Sequence, residues 1–156
     1  MDDAKAIINN VNDQIIANLI VNIAELCYEL YNSYYETLYA NNTSYNYISV
    51  KWDNLPYANK KIMMTNVVHC MRYPETTLES LHDIWLNGMI TSGWVYGKTR
   101  CEDIKTDPYI VPYANLPYER QAIYNVIKSI CNYFYEAHMS IKTYFKEESY
   151  TNIKHK

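Results

Sequence analysis

The apolar residues of this chain fall first into a long helical rhythm. Ile8, Val11, Ile15, Leu19, Ile23, Leu26 and Leu30 recur at steps of three and four, one stripe on a helix. A second stripe, Ile16, Ile20, Ala24, Cys27 and Tyr31, runs beside it. From Ile15 onward more than half of the circumference is apolar, and such a helix is buried from two sides. One side is the core of the domain. The other is either more core or a second subunit, and two-fold homodimers being the commonest assembly, a homodimer is the expectation. Asp2 and Asp3 suit the helix N-terminus. The helix should fray near Ala40, where Asn41-Asn42-Thr43-Ser44 reads as a loop.

Tyr45 to Trp52 alternates weakly and reads as extended. A helical run follows through Ile62, Met63, Val67, Val68 and Met71, with Pro56 in its first turn and Pro74 beyond its end. Thr76-x-x-Glu79 reads as a capping box for a short helix through Leu81, Ile84 and Trp85, closed by Gly88. Met89 to Tyr96 reads as a short strand, Lys98 to Thr106 as a polar loop, and Tyr109 to Val111 as a second strand. The last helix starts after Asn115-Leu116-Pro117-Tyr118 and carries Ile123, Val126, Ile127, Ile130, Phe134, Ile141 and Phe145 past Glu136. Asn54-Leu55-Pro56-Tyr57 is the same four residues. Two copies, each opening a helix, are reuse of a helix start and not a repeat array.

Composition narrows the function classes. At 156 residues the chain is one domain, and 49% hydrophobic with 20% charged residues is ordinary for a soluble globular protein. A net charge of −3 leaves no basic stripe for nucleic acid. Asn18, Asn22 and Glu25 interrupt the longest apolar stretch, so no spanning helix is expected and no membrane partner. The first residues, Met-Asp-Asp, lack the basic and apolar regions of a signal peptide. Cys27, Cys70, Cys101 and Cys131, widely spaced, are then expected as reduced thiols in a cytoplasm. The 18 tyrosines are expected mostly half-buried with wet hydroxyls.

An enzyme is not expected. Gly-x-Ser-x-Gly, Walker and His-Glu-x-x-His motifs are all missing. His69 and Cys70 are adjacent, which on a helix points them about 100° apart. Four His and four Cys without ligand spacing give no metal site, and no cofactor is called for.

The informative stretch is Leu78 to Tyr113. It holds Trp85, Trp94, every glycine (Gly88, Gly93, Gly97) and the cations Lys98, Arg100 and Lys105. Rigid aromatics, permissive backbone and positive charge between two helical runs suit a binding site. The order and spacing of His82-x-x-Trp85, Gly93-Trp94-x-Tyr96-Gly97, Lys105-x-x-Pro108, Val111-Pro112-Tyr113 and Leu116 resemble the ryanodine-receptor (RyR) repeat domain. With flanking helices the resemblance covers roughly Ser49 to Phe134.

That resemblance implies a mainly α fold with a small two-stranded β element, here between long N- and C-terminal helices. Its members occur as tandem repeats in eukaryotic calcium channels and as stand-alone proteins in bacteria and phages. In the channels, paired repeats form an adenine-nucleotide pocket in which the His-x-x-Trp helix supplies a stacking tryptophan. Carried to this chain, the role falls on His82 and Trp85, and stacking on an indole is worth roughly 1–3 kcal/mol per base. Arg100 and Lys105 stand where phosphates would be met. Trp94 and Tyr96 are either core of the small sheet or pocket wall, and Tyr113 completes the set. A basic residue frequent after the His-x-x-Trp helix is Met89 here, and an Asn-Arg pair common early in the last helix reads Tyr124-Asn125.

The organisation expected is an N-terminal helical extension over 1–48 suited to dimerisation, an RyR-like domain over 49–148 and a flexible tail over 149–156. A paired pocket needs a second copy, again a homodimer. The function expected is non-enzymatic binding of a small adenine-nucleotide-type ligand, such as a cyclic ADP-ribose-like immune signal, in a bacterial or phage setting. The alternative is a protein–protein interaction module with a tyrosine-rich surface.

Overall fold

A computed structural model describes the backbone over residues 2–40 and 49–153 and side chains over 13–40 and 49–147. It is mainly helical: α1 Asp2–Tyr39, α2 Tyr57–Arg72, α3 Leu78–Thr91, α4 Tyr118–Ala137 and α5 Met139–Ile153, with strands β1 Val95–Tyr96 and β2 Thr106–Asp107 between α3 and α4. Among the described residues no helix is long and apolar enough to cross a membrane.

The second stripe of α1 goes inward. Ile16, Ala24 and Cys27 are buried, with Ile23 and Tyr35 beside them, and α1 packs on both α2 and α4. The helix expected as an extension is therefore part of the one hydrophobic core. Ile15, Leu26 and Leu30 of the first stripe stay exposed. The loop at residues 41–44 and the first half of the expected extended segment, 45–48, lie outside the described residues. Its end, Trp52, is in a short 3-10 turn, Trp52–Asn54, where its N–H donates to Glu29 Oε1 at 2.8 Å. Tyr28 Oη and Asn32 Nδ2 both donate to the Val50 carbonyl, at 3.0 and 2.8 Å, and bind the returning chain to α1.

α2 starts after Pro56 and ends before Pro74, as the prolines require. α3 is capped by Thr77, whose side chain accepts from the Ser80 N–H, and not by Thr76. Thr76 is turned inward, its hydroxyl 2.8 Å from His69 Nε2. Nor does Gly88 close α3, which runs on to Thr91. A Cβ at Gly88 would lie 2.6 Å from Ile62 Cγ1, so this glycine lets α2 and α3 approach. The turn out of the helix falls at Gly93, with φ of 85°.

The strand expected over Met89 to Tyr96 is only its last two residues, and the second strand is not at Tyr109 to Val111. β1 and β2 pair in parallel, Val95 with Thr106 and Tyr96 with Asp107. The Tyr109 N–H is taken by Asp107 Oδ1 at 2.7 Å and the Val111 carbonyl by His82 at 2.7 Å. Side chains claim the groups a ladder would use. The intervening loop turns back through an antiparallel bridge, Cys101 with Thr106, and Lys105 at φ of 51°.

The single last helix is two. Residue His138 leaves the helical region with no proline or glycine present. Its N–H still donates to the Phe134 carbonyl and its ring stacks on Phe134 at 5.6 Å. The bend folds α5 back on α2 and α4 and buries Ile141 and Phe145. α5 stays helical to Ile153, into the segment read as a tail, and residues 154–156 lie outside the described part.

All four cysteines are free. Cys27, Cys70 and Cys131 converge from α1, α2 and α4. Hydrogen bonding with Cys27 and Cys70, together with burial, pushes the Cys131 thiol up, while the bond with Cys131 draws Cys70 down. Among the described residues no cluster of His, Cys, Asp and Glu is arranged to hold a metal ion.

Candidate functional site

Positions three apart on a helix share a face, and α3 presents His82 and Trp85 on one side. His82 is 0% exposed. Its Nε2 lies 2.7 Å from the Val111 carbonyl oxygen, which can only accept. Nε2 therefore carries the proton, and Nδ1 accepts from the Tyr124 hydroxyl at 2.9 Å. Burial keeps the imidazole neutral by pushing its pKa below the ordinary value, against the pull of the Val111 hydrogen bond. Burial likewise pushes the Tyr124 phenol up to about 12.

One ring thus ties α3 to the Val111-Pro112-Tyr113 segment and to α4. His82 has no surface to offer a ligand in this structure. It positions Trp85, whose ring lies 5.6 Å away and within 24° of parallel. Tyr113, partly buried, packs against His82 and Tyr124 with centroids 6.1 Å from each.

Arg120, in the first turn of α4, occupies the middle of this cluster. Only 6% exposed, its guanidinium sits 4.9 Å from the ring centroids of Trp85 and Tyr109 and 5.5 Å from that of Tyr31. One Nη donates to the Tyr31 hydroxyl at 2.9 Å, while the buried Nε has no hydrogen-bond partner. Among the described residues no carboxylate pairs with it. Burial works against its charge, but the facing phenols of Tyr31, Tyr124 and Tyr35 hold its pKa above the ordinary value. Arg120 was not among the expected site residues, and it stands one turn before Tyr124-Asn125, where the resemblance places an Asn-Arg pair. A signal was present: Arg120 stands three before Ile123, four before Tyr124 and seven before Ile127, in phase with the buried stripe.

The other candidates gather in the β element. Trp94 is 8% exposed, with the Arg100 guanidinium 4.4 Å from its ring. Of the two roles open to it, it takes the core one. Arg100 is committed internally: one Nη lies 2.5 Å from Asp107 Oδ2, and the other Nη and Nε bond Glu102 Oε1 at 2.6 and 3.0 Å. Burial disfavours its charge, and the bonds with Glu102 and Asp107 outweigh that and raise its pKa. Lys105 donates from Nζ to the Ser92 carbonyl at 2.8 Å. Tyr96 points outward, 59% exposed.

The structure therefore brings His82, Trp85 and Tyr113 together with the unforeseen Arg120, Tyr109, Tyr31 and Tyr124. It holds Trp94, Arg100 and Lys105 apart, joined to the first group through Asp107, which bonds both Arg100 and the Tyr109 N–H. Two concavities lie elsewhere. One of about 590 Å³ runs between α2 and α3, lined by Tyr57, Lys61, Ile62, Ile84, Asn87 and Thr91, among others. The other, about 280 Å³, lies between Ile15 and Ile16 of α1 and Met139, Thr143 and Tyr144 of α5.

A helical bundle whose α3 is locked through a buried histidine to a minimal β insert and to α4 is a mainly α domain with one compact insertion. A family model described as the RyR domain matches residues 56–142, more than half of the chain, and the chain belongs to that family. α1 lies outside the match, yet it supplies Tyr31 to the arginine cluster and a wall of the core.

Proposed function

We propose that this RyR-domain protein binds a small adenine-nucleotide-type ligand and does not convert it. The observation that carries the reading is Arg120. A guanidinium held almost wholly out of water, without a carboxylate among the described residues and with an unpaired Nε, lies against the partly exposed indole of Trp85. A buried charge is costly without a counter-ion, and the phosphate of a ligand supplies one in the geometry a guanidinium favours. The indole stacks on a purine regardless of its edge pattern. Entry requires Trp85 and the Tyr109 to Tyr113 segment to part. His82, Trp85 and Tyr113 are the frame of this site, and Trp94, Arg100 and Lys105 brace the insert behind it, with Tyr96 at its outer surface.

In its sharper form, motivated by the resemblance to stand-alone bacterial and phage members, the ligand is a cyclic ADP-ribose-like defence signal. The protein then sequesters or senses it in the cytoplasm, as a homodimer. The test is calorimetry with cyclic ADP-ribose isomers, ADP-ribose, ATP and cyclic dinucleotides. Heat from at least one, lost in Trp85→Ala, is the expected result. Silence from all at millimolar ligand refutes the reading, and chromatography of the nucleotides after incubation exposes any turnover.

A second reading has its own observation. Tyr57 and Tyr118, each first in its helix after Leu-Pro, are 72% and 83% exposed. Rings so placed suit a protein partner. On that reading Trp85→Ala leaves partner binding intact and Tyr57→Ala with Tyr118→Ala abolishes it.

A further inference from the structure

Three thiols meet in the core. Cys27 of α1, Cys70 of α2 and Cys131 of α4 are 0%, 1% and 0% exposed, and none is in a disulfide. A single buried cysteine behaves as a small apolar filler. These three differ because their sulfurs face one another: the Cys131 thiol is hydrogen-bonded with those of both Cys27 and Cys70. The three lie far apart in the chain, so the packing of α1, α2 and α4 makes the meeting.

The trio is not symmetric. Cys131 is the member shared by both hydrogen bonds. Its bond with Cys70 draws that thiol toward the thiolate; burial opposes this, and the Lys128 ammonium adds to it. Lys128 stands one turn before Cys131 on α4, half-buried, and donates from Nζ to the Thr76 carbonyl. Oxidants attack the thiolate and not the thiol. Cys70 is thus the reactive member, with Cys131 placed to resolve it.

We propose that Cys70 and Cys131 form an oxidation site, in which hydrogen peroxide converts the two thiols into a disulfide that Cys27 can take over. Peroxide gives one oxygen to the Cys70 sulfur. The O–O bond breaks, Cys70 becomes a sulfenic acid and one water leaves. The Cys131 sulfur then attacks that of Cys70. The S–O bond breaks, and the departing hydroxide takes the Cys131 proton and leaves as a second water. Two electrons pass from the pair of thiols to the peroxide. Cys27, in contact with Cys131, attacks its sulfur in turn, forming Cys27–Cys131 and returning Cys70 as a thiol. Peroxide is scarcely larger than water and reaches Cys70 when the core opens locally beside Lys128. Either link ties α4, whose first turn carries Arg120, to a neighbouring helix. The inference stands apart from the nucleotide reading.

The test uses the whole chain with Cys101→Ser, which removes the fourth, partly exposed thiol. Peroxide is applied for as long as it takes to oxidise Cys101 in the parent chain. Thiols are then counted in denaturant, and linked peptides are identified by mass spectrometry. The count should fall from three to one, every link should contain Cys131, and dithiothreitol should restore all three thiols. In Cys131→Ala no link should form, and Cys70 should go on to the sulfinic acid. Three thiols left intact, a link between Cys27 and Cys70 in either chain, or oxidation of the trio without any link overturns the proposal. Should Cys131→Ala fail to fold, the identity of the linked peptides in the parent trio decides alone.

Discussion

His82→Leu tests the central joint of the fold. The change removes two hydrogen bonds, to the buried Tyr124 hydroxyl and to the partly buried Val111 carbonyl. Leaving those groups unpaired costs about 2–4 kcal/mol together, and burial of the leucine returns about 1, for a net loss of about 1–3 kcal/mol. Tyr124→Phe loses only one bond but strands Nδ1, at about 1–2 kcal/mol. The double variant removes both partners, so it should lose clearly less than the sum.

The pH dependence carries a second signature. Burial holds the folded His82 below its unfolded pKa of about 6.5, so the unfolded chain takes up the proton first as pH falls. The stability due to neutral His82 is complete above about pH 6.5 and is lost as pH falls toward the folded pKa, at no more than about 1.4 kcal/mol per unit. His69 is shifted down by burial too, so the variant keeps part of the slope. The gap between wild type and His82→Leu should accordingly narrow below about pH 6.5. Urea unfolding at a series of pH values measures both. Additive single variants, or a gap that stays constant with pH, would refute the assigned tautomer and its bridge.

Three further outcomes concern helix α3 and its entry. Thr77→Ala should cost about 1 kcal/mol in urea unfolding through loss of the cap, with the pH dependence from His69 unchanged. Thr76→Ala should alter that dependence, because it removes the hydroxyl at His69 Nε2. Gly88→Val should destabilise by about 1–3 kcal/mol in the same assay, since its side chain meets Ile62. A neutral Gly88→Val would mean that the close approach of α2 and α3 is not needed.

The sequence alone determined the mainly α class, the family and the three helices ahead of the insert, because these follow from local causes. Three- and four-residue steps write a helix, Pro56 and Pro74 bound one, and the Gly-Trp-x-Tyr-Gly motif marks an insert. Where two local signals competed, position was misread. Thr76 and Thr77 both suit a cap, and Gly88 looks like a stop until Ile62 is seen to need its space. Only the tertiary structure decided what faces what. The Val111 carbonyl and the Tyr109 N–H go to side chains instead of a strand, which no alternation reveals. The bend at His138 carries no proline or glycine signal, and beyond it Ile141 and Phe145 are buried. Arg120 sits among Trp85, Tyr109 and Tyr31 because three segments far apart in the chain converge there. A one-dimensional pattern records that a position is inward, and only packing names its neighbours.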